Sequence, residues 1–156
     1  MRAAVFSDTH SNTELMLEAV RRYHPDIMIH LGDRDRDAAE LRHEFPDIPL
    51  YSVCGNCDLM PLSPEWDIVP MGPVTAFITH GHLYNVKYGR LDSLVYAAME
   101  KGAKIAMFGH THVPFNEDIG GVSVINPGTA GQGRHLTWAA VEVFDNGAVL
   151  CEIKEL

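Results

Sequence analysis

The chain has 156 residues, a formal net charge of −9, 46% hydrophobic and 21% charged residues, the size and balance of one globular domain with its own core. No Lys/Arg-rich run is present, so its field repels extended nucleic acid and anionic membrane surfaces, although cations held at a local site could admit a small anion. No apolar run approaches the ~18 residues of a membrane span, MRAAVFSDTHSN meets Asp8 and His10 too early for a signal peptide, and three cysteines argue against a disulfide framework; a cytoplasmic location is expected.

Ala3 to Phe6 is a short apolar run stopping at Ser7-Asp8, and a helical pattern with Leu15, Leu17, Ala19 and Val20 follows. Ser11 and Glu14 fit a capping box for that helix, with Asn12 a competing cap. The pattern returns at Ile27 to Leu31, which ends in Gly32-Asp33 before a helix expected from about Asp37 to Phe45 and stopped by Pro46. Leu50 to Cys54 reads as a third strand ending in Gly55-Asn56-Cys57-Asp58. The proline-rich stretch after it, with Pro61, Pro64, Pro70 and Pro73, reads as loop over one rim of a site.

Val74 to Thr79 is a fourth strand and ends at His80-Gly81-His82. A helix from about Leu91 to Lys101 closes at Gly102, and a fifth strand, Lys104 to Phe108, ends in Gly109-His110-Thr111-His112. Antiparallel strands are expected beyond it. Val122 to Ile125 ends in Asn126-Pro127-Gly128, and Thr137 to Phe144 turns at Asp145-Asn146-Gly147 into Val149 to Ile153. No repeat or linker interrupts the chain.

Five successive apolar strands thus end in metal-binding residue types, four of them with a glycine that permits a sharp turn. In an open α/β sheet the carboxyl ends of parallel strands converge on one edge, which would gather Asp8, His10, Asp33, Asn56, His80, His110 and His112. Singly, each could be a core histidine, a helix cap or a turn former. Together, burying two carboxylates and several imidazoles uncompensated costs on the order of several kcal/mol per charge, which metal ions would offset. Asp8 and His10, like His110 and His112, are two apart, so each pair can serve one cation or two neighbouring ones. Nitrogen and oxygen donors without cysteine suit Mn²⁺, Fe²⁺, Ni²⁺ or Zn²⁺ better than Mg²⁺ or Ca²⁺. Cys54 and Cys57 form a C-x-x-C, but they straddle a strand end and no second pair follows, which speaks against a redox or zinc role.

Asp8-Thr9-His10, Gly32-Asp33, Gly55-Asn56-Cys57-Asp58, His80-Gly81-His82 and Gly109-His110-Thr111-His112 resemble, in order, the signature blocks of calcineurin-like metallophosphoesterases. The short chain, Cys57 in the third block and Asn126-Pro127-Gly128-Thr129 make it similar to the small YfcE-type phosphodiesterases of that superfamily. The resemblance implies an α/β fold, a sandwich of two β-sheets flanked by helices. It implies two divalent ions, Mn²⁺ foremost with Ni²⁺, Fe²⁺ or Zn²⁺ as alternatives. Asp8, His10 and His112 would hold the first, Asn56, His80 and His110 the second, and Asp33 would bridge both, with a shared hydroxide completing the site. Many members carry a histidine after the Asn, thought to protonate the leaving group. Cys57 stands there in this chain, which leaves the acid open, with His82 the first alternative.

Two cations roughly 3.5 to 4 Å apart can acidify a shared water and offset charge in an in-line displacement at phosphorus. The expected activity is hydrolysis of a small phosphodiester, with Asp33 and Asn56 at the centre of catalysis and His82 and Cys57 beside them. A phosphomonoesterase, or a non-catalytic metal-binding or protein-interaction scaffold of the same fold like a subunit of the eukaryotic retromer coat, is the alternative. Substrate choice would rest on the loops around residues 59 to 73 and 82 to 90; a homo-oligomer is left open. His30, inside an apolar strand, reads as a satisfied core histidine or one that orients a ligand, and His24 and His43 as exposed. Arg34 and Arg134 could meet a phosphate, with solvation the simpler reading of each.

Overall fold

The computed structural model describes all residues from Met1 to Leu156. The chain runs β1 (Arg2–Phe6), α1 (Glu14–Tyr23), β2 (Ile27–His30), α2 (Asp35–Glu44), β3 (Leu50–Ser52), β4 (Trp66–Met71) and β5 (Val74–Thr79). Two short 3-10 turns (His82–Tyr84 and Val86–Tyr88) lead to α3 (Asp92–Glu100), β6 (Ile105–Met107), β7 (Phe115–Ile119), β8 (Val122–Asn126), β9 (Thr137–Val143) and β10 (Val149–Glu155).

Polar alternation is missing from β1 and β2 because both faces of these strands are covered. They pair in parallel, Val5 opposite Ile29, and belong to a five-stranded sheet of order β10-β9-β1-β2-β3. A second sheet has the order β4-β5-β6-β8-β7. The inner faces meet in a core that includes Val5, Ile29 and Val141 from the first sheet and Ile78, Met107 and Ile125 from the second. Phe6, Met16, Leu41 and Trp138 fill the layer beneath α1 and α2, and Phe77, Leu94 and Phe108 the layer beneath α3. The fold is therefore two mixed sheets face to face with helices outside, as the resemblance implies.

Several local expectations are overturned. The proline-rich stretch contains β4, paired antiparallel with β5; Pro70 sits within it because β4 is a sheet edge, where a missing N–H is tolerated. The tail is not wholly antiparallel, since β8 runs parallel to β6 with Ala106 opposite Val124. β7 escaped notice because its sequence, FNEDI, is that of a charged edge strand. The capping box does not form: Thr13 is the N-cap of α1 and no side chain caps the helix. α2 starts at Asp35 and ends at Glu44, α3 spans Asp92–Glu100, and β3 stops at Ser52, so Cys54 and Cys57 both lie in loop, free like Cys151.

Phe6 is wholly buried and stacks on Trp138 at 5.6 Å between ring centres, whereas Leu59 is 96% exposed. Phe6→Ala is expected to lower stability by about 3–5 kcal/mol in urea unfolding, and Leu59→Ala to leave it within about 0.5 kcal/mol.

Candidate metal centre

Asp8 and His10 follow β1, Asp33 follows β2 and Asn56 lies beyond β3; His80 follows β5, and His110 and His112 lie beyond β6. These strands are divided between the two sheets. The convergence is therefore across the ends of two stacked sheets and not along one edge of a single open sheet. His112 Nε2 from the second sheet comes within 3.1 Å of Asp8 Oδ1 from the first, and His80 Nε2 within 3.3 Å of Asp33 Oδ1.

One donor atom from each of Asp8, His10, Asp33 and His112 lies within 4.8 Å of the others. The Nε2 atoms of His10 and His112 face each other at 3.5 Å. Asp8 Oδ1 and His80 Nε2 are buried yet make no hydrogen bond, despite the short distances to their neighbours. Such close but unbonded pairs leave donor atoms available to a shared ion. Donors about 2.0 to 2.2 Å from one ion lie about 3 Å apart, so the arrangement fits a divalent cation. The second group opens to the rim. The rings of His80 and His110 are 5.1 Å apart, much as those of His10 and His112 are at 5.3 Å, but Asn56 is exposed at the rim with its amide 3.5 Å from Cys57 Sγ.

The backbone that presents these groups is strained. Asp8 (φ 54°), His10 (46°), Asp33 (58°), His110 (66°) and His112 (60°) all adopt the left-handed region, at a cost of order 1–3 kcal/mol each that only the surrounding structure can sustain. The four glycines divide between two tasks. Gly32 (φ 99°) and Gly81 (φ 102°) make turns, as expected. Gly55 and Gly109 leave room: a Cβ would fall 2.1 Å from Asp33 Oδ1 at the first and 1.9 Å from Ser7 Oγ at the second.

Residues not singled out from the sequence fix the candidate ligands. Asp8 Oδ2 accepts bonds from the Ser7 hydroxyl (2.6 Å) and the His110 N–H (3.1 Å), which leaves Oδ1 free. The Leu31 carbonyl lies 2.7 Å from His80 Nδ1 and orients the ring with Nε2 toward the site. Asp58 accepts the Gly55 N–H at 2.8 Å and those of Arg34 and Asp35 at 3.0 Å, tying the Asp33 and Asn56 turns together. Asn126 donates to the Gly109 carbonyl (2.9 Å) and accepts from Gly128 N–H (2.8 Å), holding the turn before His110. Asp58 and Asn126 were visible only as parts of motifs; Ser7 gave no signal of its own.

Burial alone would raise the Asp33 carboxyl, but the His80 imidazole and the Cys57 N–H at 3.0 Å outweigh it and hold the pKa well below the carboxylate range. Burial likewise opposes charge on His80, yet Asp33 and Asp8 raise its pKa in the metal-free protein. Burial and the nearby His80 lower both His82 and His110. Burial, reinforced by Asp33, raises the Cys57 thiol. His82 stands 5.5 Å from His80 and 6.2 Å from His110 between ring centres, with Nδ1 buried and unpartnered. His30 is wholly buried and accepts the Gly32 N–H, while His24, His43, Arg34 and Arg134 are exposed.

Residues 1–146 match the calcineurin-like phosphoesterase superfamily domain. The chain belongs to that superfamily. The probable metallophosphoesterase YsnB of Bacillus subtilis is 33% identical over 83% of this chain and 75% of its own. The phosphodiesterase YfcE of Escherichia coli is 28% identical, covering 94% of this chain and 88% of its own. Among solved structures, Vps29 of Entamoeba histolytica complexed with zinc superposes with a TM-score of 0.77 at 19% identity, over 99% of each chain. At that identity the likeness is one of fold. In this member of the superfamily no helix is long and apolar enough to cross a membrane.

Gly55→Ala is expected to lower Mn²⁺ affinity at least about tenfold, because the methyl displaces Asp33; Mn²⁺ titration by calorimetry checks it. Since the raised His80 pKa belongs to the metal-free protein, ion uptake should release a proton and weaken as pH falls through that pKa. Uptake heats in buffers of different protonation enthalpy read the proton count, and no proton release at low pH would contradict His80 as a ligand.

Proposed function

We propose that this phosphoesterase hydrolyses small phosphodiesters with two divalent ions, Mn²⁺ foremost. Asp8, His10 and His112 would hold one, Asn56, His80 and His110 the other, and Asp33 both. The observation that carries the reading is the set of buried donor atoms, Asp8 Oδ1 and His80 Nε2, left without hydrogen bonds while facing neighbours at 3.1 and 3.3 Å. The name of the YfcE relative supports a diester over a monoester as substrate. When bound, such a pair of ions acidifies water and neutralises charge on a phosphoryl group.

The chain's own residues supply the rest. Asp33 lies where the two donor groups meet, its Oδ1 held by the Cys57 N–H at 3.0 Å and placed 3.3 Å from His80 Nε2. A carboxylate so fixed aligns both halves of the centre. Asn56 adds a donor without charge, so the second group carries less negative charge than a carboxylate would give it. This local balance lets an anionic phosphate approach a chain with net charge −9. His82 and Cys57 flank the second group. Cys57, with its raised pKa, keeps its proton at neutral pH, and a thiol is a weak hydrogen-bond donor.

Asp33→Asn should cost on the order of a thousandfold or more in kcat/KM for bis(p-nitrophenyl) phosphate, and Asp8→Asn less, because only Asp33 serves both groups. Equal, mild losses with metal content unchanged would count against the bridging role. Wild-type rates are expected to fall steeply as leaving-group pKa rises, since Cys57 donates poorly. Cys57→His should then speed alkyl diesters far more than aryl ones, toward the ~10²–10⁴ gain typical of a placed acid. A flat dependence that steepens in His82→Ala would make His82 the acid. Absence of metal-dependent hydrolysis from protein with its ions bound would favour the scaffold reading.

A further inference from the structure

Beneath the turn that carries Asp8 and His10 runs a buried polar chain outside the ligand set. Thr9 and His30 are wholly buried and Asp37 is 3% exposed. Thr9 Oγ1 lies 2.5 Å from Asp37 Oδ2 and 3.1 Å from His30 Nε2, and the Gly32 nitrogen lies 3.3 Å from His30 Nδ1. An ionised carboxylate only accepts, so the Thr9 hydroxyl donates to Asp37 and accepts from His30 Nε2–H, leaving Nδ1 to accept from Gly32. One neutral tautomer satisfies every member, and burial favours the neutral ring. Asp37 Oδ2 accepts a second bond from the Ser11 N–H at 2.8 Å.

These bonds secure a turn that would not hold itself. Asp8, His10 and Ser11 have φ of 54°, 46° and 71°, and none is glycine. Such conformations persist where the surroundings over-determine them. Above the turn, Thr129 donates its hydroxyl to the Asp8 carbonyl at 2.9 Å, and Gly131 passes so close that a Cβ there would lie 1.6 Å from the Thr9 carbonyl oxygen. Below it, Asp37 alone anchors both the side chain of Thr9 and the backbone of Ser11, the residues on either side of His10. Asp37 sits in the first turn of α2, where the helix dipole favours a carboxylate.

We propose that Asp37, acting through Thr9 and the Ser11 N–H, is a positioning residue that holds His10 in its coordinating place. It thereby sets the affinity of the ion shared by Asp8, His10 and His112 and leaves the His80–His110 side unaffected. For the division between two ions this rests on the two-metal reading; for the turn it does not. The test compares wild type, Asp37→Ala, Thr9→Val and Thr9→Ser by amide hydrogen exchange without metal and by Mn²⁺ titration. In Asp37→Ala the Ser11 amide should exchange at least about tenfold faster, with β1 and β2 amides unchanged. One Mn²⁺ equivalent should weaken by about 10–100-fold and the other stay within twofold. Thr9→Val should weaken the same equivalent, and Thr9→Ser, which restores the hydroxyl, should recover it. Unchanged Ser11 exchange in Asp37→Ala, or equal weakening of both ions, overturns the proposal. If Asp37→Ala does not fold, the Thr9→Val and Thr9→Ser pair decides. If wild type takes up only one ion, the two-metal reading falls, while Ser11 exchange and the affinity for that ion still decide the role of Asp37.

Discussion

Donor atoms that face one another without hydrogen bonding are the constraint on which the rest of this structure depends. Asp8 Oδ1 and His80 Nε2 are buried, near a possible partner, and unsatisfied. Left to relax, each would find a hydrogen bond, because an unmet buried polar group costs about 1–3 kcal/mol. What prevents relaxation is that the other atom of each group is already committed. Asp8 Oδ2 is engaged by Ser7 and His110, and His80 Nδ1 by Leu31. The two donor groups are held open by bonds on their far sides.

The same economy explains the backbone. Left-handed turns at Asp8, His10, Asp33, His110 and His112 bring side chains from two sheets to one point, and missing Cβ atoms at Gly55 and Gly109 let the turns touch. Neither device would survive on a flexible support. The apolar interior between the sheets and the layers beneath the helices provide a rigid one, since close-packed interiors transmit strain instead of absorbing it. Stability is thus built in strands and drawn on in the loops at their carboxyl ends.

The strands bearing the candidate ligands were legible because each is a largely apolar run that gives way abruptly to polar residues, as at Phe6 to Asp8 or Phe108 to His110. Two of the four edge strands, β4 and β7, were not. β4 hides behind Pro70 and β7 behind its charges, and both features belong to edges that must refuse further pairing. The ligand candidates could be named from residue type and position, whereas their partition between two sheets depends on long-range pairing that no local pattern encodes. In the sequence Asp37 marks only the start of a helix. Its part beneath the Asp8–His10 turn depends on Thr9 and Ser11, neighbours far away in sequence.

The two halves of the centre are unequal, and the inequality has a structural source. The Asp8, His10 and His112 side closes on itself, with four donors within 4.8 Å once Asp33 is counted. The His80 and His110 side opens toward the rim, where Asn56 and Cys57 are exposed and His82 is half-buried. A closed group of anionic and imidazole donors favours tight, permanent retention of a cation. An open group whose own donors, Asn56, His80 and His110, are all neutral leaves room for an incoming oxygen. The two sheets also support their loops differently. In the first sheet α2 braces the Asp8–His10 turn through Asp37 and the loop after β3 through Asp35, which accepts the Leu62 and Ser63 N–H groups, while His82 leads straight into short 3-10 turns. The first sheet carries both carboxylates of the candidate set, and the second presents His80, His82, His110 and His112.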